Sequence, residues 1–130
     1  MNKEIKNWLD MADYDLTTAY HMQKSGRALY VVFMCHLALE KVFKAIVCAA
    51  TRKAPPKTHD LIRLMEVGNI SLDQEQLDFI GIINNVSVVT RYPEDFSKLL
   101  SSYSKNVVLG YLDRTKEIIQ CLKRDARLKK

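Results

Sequence analysis

The amino-acid sequence predicts an all-α protein, an up-and-down bundle of four long helices plus one short helix. Four glycines and three prolines are few for 130 residues, which argues against an all-β fold with many turns and favours long helices. A hydrophobic content of 48% supports one compact core, and the length leaves little room for a second. We therefore expect a single helical domain over residues 1–130.

Caps and apolar spacing predict the first two helices. Asn2 can cap a first helix that Ser25-Gly26 would end, and a second should run from about Arg27 to Thr51, before the stop at Ala54-Pro55-Pro56. Because the second segment is apolar on most faces, it should be the central helix of the bundle. The apolar face of the first helix consists of Ile5, Trp8, Leu9, Ala12, Leu16 and Ala19.

A short helix and a longer one should follow the proline linker. Thr58 is a candidate cap for the short helix, from Asp60 to about Val67, which Gly68-Asn69 would end. Ser71 and Gln74 have the spacing of a capping box, in which each residue's side chain bonds the other's backbone, and should open the longer helix.

The segment from Phe79 to Thr90 is compatible with two structures. It is rich in β-branched residues around Asn84-Asn85, so by propensity alone it could form a β-hairpin. No other segment has strand character, and two isolated strands would have no sheet to join. We therefore predict that the helix continues through this segment. A final helix presents one apolar face, formed by Val107, Val108, Tyr111, Thr115, Ile118, Ile119 and Leu122.

The net charge of +5 is concentrated at the C-terminus. Residues 123–130 carry five basic side chains and one acidic one, a net +4, and are expected to form a basic tail that frays into solvent. A smaller basic group, Arg52, Lys53 and Lys57, lies in the proline linker. The two groups together could contact phosphates, although charge alone is weak support for such a function.

The sequence also indicates the cellular compartment of the protein. The three cysteines are widely spaced, odd in number and without a C-x-x-C pattern, so we expect free thiols packed in a reducing compartment and no metal or cofactor. The polar N-terminus leads into no apolar signal core, which indicates a cytoplasmic protein. The apolar run over residues 29–50 contains four ionisable side chains near its middle, which favours a buried helix over a membrane span. Those four are His36, Glu40, Lys41 and Lys44.

A polar stripe along the second helix is the most informative local feature. His36, Glu40 and Lys44 are spaced by four residues, so they lie on one side of a helix, and Glu40 precedes Lys44 in the order that favours an ion pair. Charges in an apolar segment need partners or access to water. The stripe is therefore either an internal ion pair, the preferred interpretation, or the lining of a site that would also include Lys41.

Two short patterns downstream each have a structural and a functional interpretation. In Thr58-His59-Asp60-Leu61, His59 either bonds to backbone at the helix start or acts as a base or phosphate ligand that Asp60 orients. In Arg91-Tyr92-Pro93, the three residues either end a helix or form a ligand site. In that site Arg91 would bind a phosphate bidentately and Tyr92 would stack on a base.

Four patterns in order carry a resemblance to a known family. They are Trp8-Leu9 with Ala12, Asp15-Leu16 and Ala19; Ala38-Leu39-Glu40-Lys41 with Lys44-Ala45; Thr58-His59-Asp60-Leu61; and Arg91-Tyr92-Pro93. Their order and spacing resemble those of the HEPN family of small helical domains. The resemblance extends from Trp8 to about Leu122. The resemblance implies a four-helix bundle with an extra short helix, usually a homodimer. It also implies a nucleotidyltransferase partner in toxin–antitoxin-like pairs, and metal-independent ribonuclease activity in many members.

The ribonuclease signature is incomplete in this chain. The RNase members use an Arg followed four to six residues later by a His, but no His occurs anywhere after Arg91. Cleavage of RNA without a metal needs a group that moves protons near neutral pH, which is the usual role of His. The sequence therefore argues against standard HEPN ribonuclease activity.

Three functional hypotheses follow from these residues. The first is a binding or regulatory module that takes a nucleotide, RNA or a nucleotidyltransferase partner. The second is a ribonuclease that uses Arg91 with a non-standard His such as His59. The third is an oligomerisation scaffold in which the polar stripe only sets helix register. The candidate ligand-binding residues are Arg91, Tyr92, His59, Asp60, Glu40, Lys41 and Lys44.

Overall fold

The computed structural model describes residues 1–90 and 92–129, except for the side chain of Ser87, and over those residues it confirms the all-α bundle. The four long helices are α1 (Lys3–Lys24), α2 (Ala28–Thr51), α4 (Gln74–Val89) and α6 (Lys105–Leu122). The predicted short helix is α3 (Leu61–Gly68). A second short helix, α5 (Phe96–Ser101), and a 3-10 turn over Ala126–Lys129 were not predicted.

The second helix is central, as its composition predicts. α2 packs against α1, α3, α4, α6 and the 3-10 turn. Its residues Leu39, Phe43 and Ile46 are among the largest fully buried side chains of the protein. A helix with neighbours on most sides must be apolar on most faces, and the few polar side chains that remain in it are therefore enclosed by protein.

Two of the predicted caps are each displaced by two residues. Asn2 caps α1 as predicted, its Oδ1 accepting from Glu4 N at 2.7 Å. Asp60, not Thr58, caps α3, because Thr58 Oγ1 accepts from Asp60 N at 3.1 Å and Asp60 Oδ1 then accepts from Ile62 N at 3.0 Å. The short-range bond made by Thr58 closes a turn before the helix, and the helix starts one residue later than predicted.

The capping box of α4 is formed by a different pair from the predicted Ser71 and Gln74. Asp73 Oδ1 accepts from Gln76 N at 2.8 Å, and Gln76 Oε1 accepts from Asp73 N at 3.1 Å. The helix then continues to Val89, which confirms helix and excludes the hairpin. Its inward face is formed by Phe79, Ile80 and Ile83, which are buried at helical spacing.

The basic C-terminal segment does not fray within its described part. Leu128 is only 1% exposed and belongs to the core. Arg127 donates to Gly68 O at 2.6 Å, and Lys123 bonds to Asp13 of α1. The expectation of a solvated tail is therefore wrong over residues 123–129, because one apolar side chain among the charges is enough to dock the segment.

The cysteines are free, as predicted, but they are not all packed inside. Cys35 and Cys48 are buried and Cys121 is exposed. Burial raises the pKa of the Cys35 thiol to about 12, so its reactive thiolate form is disfavoured. In the part of the chain that the structure describes, no helix combines the length and apolarity needed to cross a membrane.

Candidate functional site

A buried carboxylate in the middle of α2 forms the centre of the candidate site. Glu40 is only 3% exposed at its side chain, and an ionised carboxylate in such a position needs partners. The apolar positions around it, Leu39 and Val42 among them, face neighbouring helices and exclude water from that side. The sequence thus places a charged side chain in the interior, where water does not solvate it.

Three side chains surround this carboxylate. Lys44 Nζ donates to Oε2 at 3.2 Å, and His59 Nδ1 lies 2.8 Å from Oε1. His36 Nδ1 is 4.0 Å from the same Oε1. The structure therefore brings together the predicted stripe of α2 with His59 from the linker before α3. The Glu40–Lys44 ion pair, the preferred interpretation of the stripe, is therefore present, and His59 connects it to the surface.

The ammonium group of Lys44 has a second partner in α1. Its Nζ lies 5.4 Å from the centre of the Trp8 ring, a distance suited to a cation–π contact. Lys44 is itself buried, so its ammonium charge is removed from water. The Trp8 ring and the Glu40 carboxylate both stabilise that charge. Trp8 was predicted only as part of the apolar face of α1, because sequence spacing does not reveal which ring meets which cation.

His59 is the exposed member of the site. Its side chain is 63% accessible, whereas the carboxylate that it contacts is enclosed. Because an ionised carboxylate only accepts hydrogen bonds, the 2.8 Å contact places a proton on Nδ1 of His59. A neutral imidazole in that tautomer keeps its lone pair on Nε2, and a protonated one presents a second N–H there. The carboxylate thus determines what the other ring nitrogen can do.

Asp60 holds the linker in place and does not orient His59. Its Oδ1 accepts from Asn84 Nδ2 of α4 at 3.0 Å in addition to capping α3. Asn84 in turn accepts from Leu61 N at 2.9 Å. These bonds tie the start of α3 to the middle of α4 and position His59 over α2. Sequence reasoning assigned the orienting role to Asp60 and missed Asn84, whose only signal was a polar side chain in an apolar helix.

Lys41 lies apart from this site. Its Nζ bonds to Asp15 Oδ2 of α1 at 2.7 Å, and both side chains are mostly buried. Residues one position apart on a helix point about 100° away from each other, so Lys41 and Glu40 serve different neighbours. The structure therefore does not bring Lys41 together with the other candidate ligand-binding residues.

The remaining two candidates lie just beyond α4. Tyr92 is 81% exposed, and Arg91, with which it was predicted to form a phosphate and stacking pair, lies outside the described residues. Asn84 is six residues before the C-cap Thr90, a rise of about 9 Å along a helix. Tyr92 thus follows the same helix against which the His59 linker is tied.

Within the described residues, no group of three His, Cys, Asp or Glu side chains is arranged to hold a metal ion. The 2.8 Å contact between Glu40 and His59 offers hydrogen bonding and proton transfer. A fixed imidazole beside a buried carboxylate can donate to an anion when protonated, or accept a proton when neutral.

Comparisons with known proteins agree with this architecture. None of the curated proteins matches the chain. The crystal structure of TT1696 from Thermus thermophilus superposes with a TM-score of 0.78 at 15% identity, covering 94% of this chain and 98% of that one. The crystal structure of ST0689, an archaeal HEPN homologue, superposes with a TM-score of 0.75, also at 15% identity, covering 94% and 97%. At 15% sequence identity, these two similarities show the fold alone.

The family itself follows from the sequence profile of the HEPN domain, which matches residues 5–125. That match includes the buried stripe of α2, the His59 linker and the whole of α4 and α6. The chain belongs to the HEPN family.

Proposed function

We propose that this HEPN domain is a binding or regulatory module that takes a phosphate-containing ligand, a nucleotide or a segment of RNA, at the Glu40–His59 pair. The observation that carries the proposal is the 2.8 Å contact between an exposed imidazole and a buried carboxylate. The carboxylate accepts the Nδ1 proton of His59, and a protonated ring presents its second N–H, at Nε2, to an incoming anion.

The position of this pair supports a ligand at the surface. Glu40 is compensated by Lys44 in the interior, so His59 is not needed to neutralise it. A structural histidine would gain most from being enclosed, yet this side chain is largely open to solvent. Tyr92, also exposed, and Arg91 would add stacking and a bidentate phosphate contact if the ligand reaches the end of α4.

We further propose a homodimer and a nucleotidyltransferase partner in a toxin–antitoxin-like pair. Exposed apolar side chains at the end of α4 and in α5 support a protein contact there, since contiguous apolar surface commonly marks an interface. They are Val88, Val89, Phe96 and Leu100. The partner itself follows only from what the family resemblance implies.

A metal-independent ribonuclease is the second candidate function. It is favoured by the same carboxylate–imidazole contact, because that arrangement fixes the tautomer of a general base. It is disfavoured by the absence of a His in the four to six residues after Arg91. The third hypothesis, a scaffold without ligand, explains the buried Glu40–Lys44 pair but gives no role to the exposed His59.

The proposal is tested by titrating the protein with ATP and with a single-stranded RNA while the His59 ring signals are followed by NMR. We expect His59→Ala to weaken ATP binding about tenfold, the effect of one charge-assisted hydrogen bond. His21→Ala is the matched control, because it removes another exposed histidine from α1. Equal ATP affinity in all three proteins, or no binding by the parent, would overturn the proposal.

The ribonuclease candidate is decided by incubating the same proteins with RNA in the presence of a chelator. Cleavage by the parent that disappears in both Arg91→Ala and His59→Ala would establish catalysis by these residues. Cleavage that survives in His59→Ala would remove His59 from the mechanism. Intact RNA in every sample leaves the binding module as the function of the site.

A further inference from the structure

Two basic segments that are distant in the sequence meet at one end of the bundle. Arg52 follows the last turn of α2, and Arg127 lies in the C-terminal 3-10 turn. Both line a cavity of about 200 Å³, together with Asn2 and Glu4 at the start of α1. Arg127 also donates to Gly68 O, so the end of α3 lies beside them. We refer to the exposed cations of these two segments, Arg52, Lys53, Lys57, Arg124 and Lys129, as the basic end.

The five cations of the basic end outnumber the single carboxylate, that of Glu4, among the residues that line the cavity. Arg127 is committed to the fold, because it pairs with Asp125 at 2.8 Å and donates to the end of α3. The five residues of the basic end are all exposed. Among residues 1–90 and 92–129, no carboxylate lies within 4.0 Å of any of their cationic groups. Several unpaired cations on one surface produce a positive field that attracts polyanions.

Arg52 has an unusual backbone conformation as well. Its φ of 59° and ψ of 26° fall in the left-handed region, where it ends α2 with its N–H bonded to Cys48 O. Glycine is the residue that most often occupies such a helix end, because any Cβ is unfavourable there. The backbone thus gives no reason for an arginine at this position, whereas its side chain contributes to the cavity.

The surface chemistry favours a nucleic acid over a membrane. A membrane-binding surface usually combines cations with exposed apolar side chains that insert among the lipids. Among the described segments that form this end, Met1 is the large apolar residue that is well exposed. The other exposed apolar side chains belong largely to α4, α5 and the segment between them.

We propose that the basic end binds the phosphate backbone of a single-stranded nucleic acid. Arg52 is twelve residues beyond Glu40 in the numbering of α2, which corresponds to about 18 Å along the helix. A mononucleotide bound at His59 therefore cannot reach the basic end, so the two sites are separate. This site goes beyond the proposed function, because it uses different residues and does not require His59.

Fluorescence anisotropy of a labelled RNA of about 12 nucleotides, a length within the usual site sizes, tests the proposal. Affinity is measured between 50 and 200 mM salt, with chelator present, over a range where phosphate contacts weaken strongly. Each phosphate contact to a single strand contributes about 0.7 to the slope of log K against log salt. For the triple variant Arg52→Gly, Lys53→Ser and Arg124→Ser we therefore expect the slope to fall by about 2.

The matched control removes two lysines from the other end of the bundle. Lys24 and Lys105 are exposed and also line a cavity, of about 270 Å³, between the end of α1 and the start of α6. The control variant Lys24→Ser and Lys105→Ser should leave the slope unchanged. Arg52→Gly alone should lower the slope by about 0.7 without lowering the melting temperature, since glycine suits the left-handed backbone. Loss of folding therefore cannot imitate the result.

Three outcomes would overturn the proposal. One is an equal fall in slope for the triple variant and the control, which would indicate diffuse attraction. Another is an unchanged slope in the triple variant, or no RNA binding by the parent at 50 mM salt. The third is binding to vesicles containing phosphatidylserine but not to RNA. Because ATP reports on His59 and the salt slope reports on the basic end, failure of either proposal is distinguished from failure of the other.

Discussion

At the scale of single residues, Glu40 is the most constrained group of this protein. It is buried, charged, and in contact with both an interior lysine and a surface histidine. A buried ion pair adds little net stability when complete, but removal of one partner leaves the other charge without compensation. The same residue therefore contributes to folding and to the state of His59.

The first prediction concerns this carboxylate. Glu40→Gln should lower the free energy of unfolding by about 3 kcal/mol, because Lys44 would remain buried without its counter-charge. Urea denaturation followed by circular dichroism measures the change. Adding Lys44→Met should recover part of the loss, since the two residues are coupled. A loss below about 1 kcal/mol would show that Lys44 reaches water in the single variant.

The second prediction concerns pH. Hydrogen bonds from Arg127 hold the pKa of Asp125 below its usual value, so the folded state favours the charged carboxylate. A depressed folded pKa adds stability that is present above the unfolded value of about 3.9 and is lost as pH falls through the folded value. Asp125→Asn should therefore cost about 1 kcal/mol at neutral pH.

This cost should shrink as the pH is lowered below about 4, where the wild-type carboxyl also becomes neutral. Denaturation of both proteins as a function of pH measures the difference. Asp113→Asn, at an exposed carboxylate of α6, is the control and should show no such dependence. A constant difference between the two proteins at all pH values would exclude titration of Asp125 as its source.

At the scale of helices, the residues at the helix ends determine where the candidate site lies. Asp60 caps α3 and Asp73 caps α4, and each aspartate accepts a hydrogen bond from the first turn of its helix. α2 and α3 both end at residues with positive φ, Arg52 and Asn69. These ends place the His59 linker against α2 and α4, and hence locate the candidate site.

The third prediction separates the observed capping box from the one expected from sequence. Asp73→Ala should cost about 1 kcal/mol of stability, because Gln76 N loses its acceptor at the start of α4. Ser71→Ala should change stability by less than about 0.5 kcal/mol, as it is an exposed substitution outside the helix. Thermal or urea denaturation of the two variants checks both values. The reverse order would place the helix start at Ser71.

At the scale of the whole molecule, the C-terminal segment closes the bundle. Leu128 inserts into the core, while Arg127 and Lys123 connect the segment to α3 and α1. The strongly charged C-terminal segment is thus part of the folded unit. Its docking also brings Arg127 to a cavity that Arg52, at the end of α2, lines as well.

The fourth prediction tests this docking. Leu128→Ala should destabilise the protein by about 2–3 kcal/mol, as expected for truncation of a buried leucine. Lys129→Ala, at the exposed neighbouring position, should leave stability nearly unchanged. Denaturant midpoints of the two variants provide the measurement. If the tail were frayed, both substitutions would have equally small effects.

Much of the fold could be predicted because its signals are local. The apolar spacing of α1, α2 and α6 and the Asn2 cap of α1 are local to each helix, so the chain specifies them without reference to its neighbours. α5 was missed because six residues are too few for apolar spacing to identify a helix, and none of its side chains is buried. The helix start at Asp73 was missed because two polar residues, Ser71 and Asp73, are both suitable caps and packing selects between them.

By itself, the sequence determined an all-α fold, a central second helix with a polar stripe, and a resemblance to the HEPN family that the profile match confirmed. Tertiary structure alone decided which partners those polar groups have. It brought Glu40 into contact with His59, paired Lys41 with Asp15, and packed Leu128 into the core. The physical reason is that periodicity records which face of a helix is buried, whereas contacts between distant segments depend on how the helices pack.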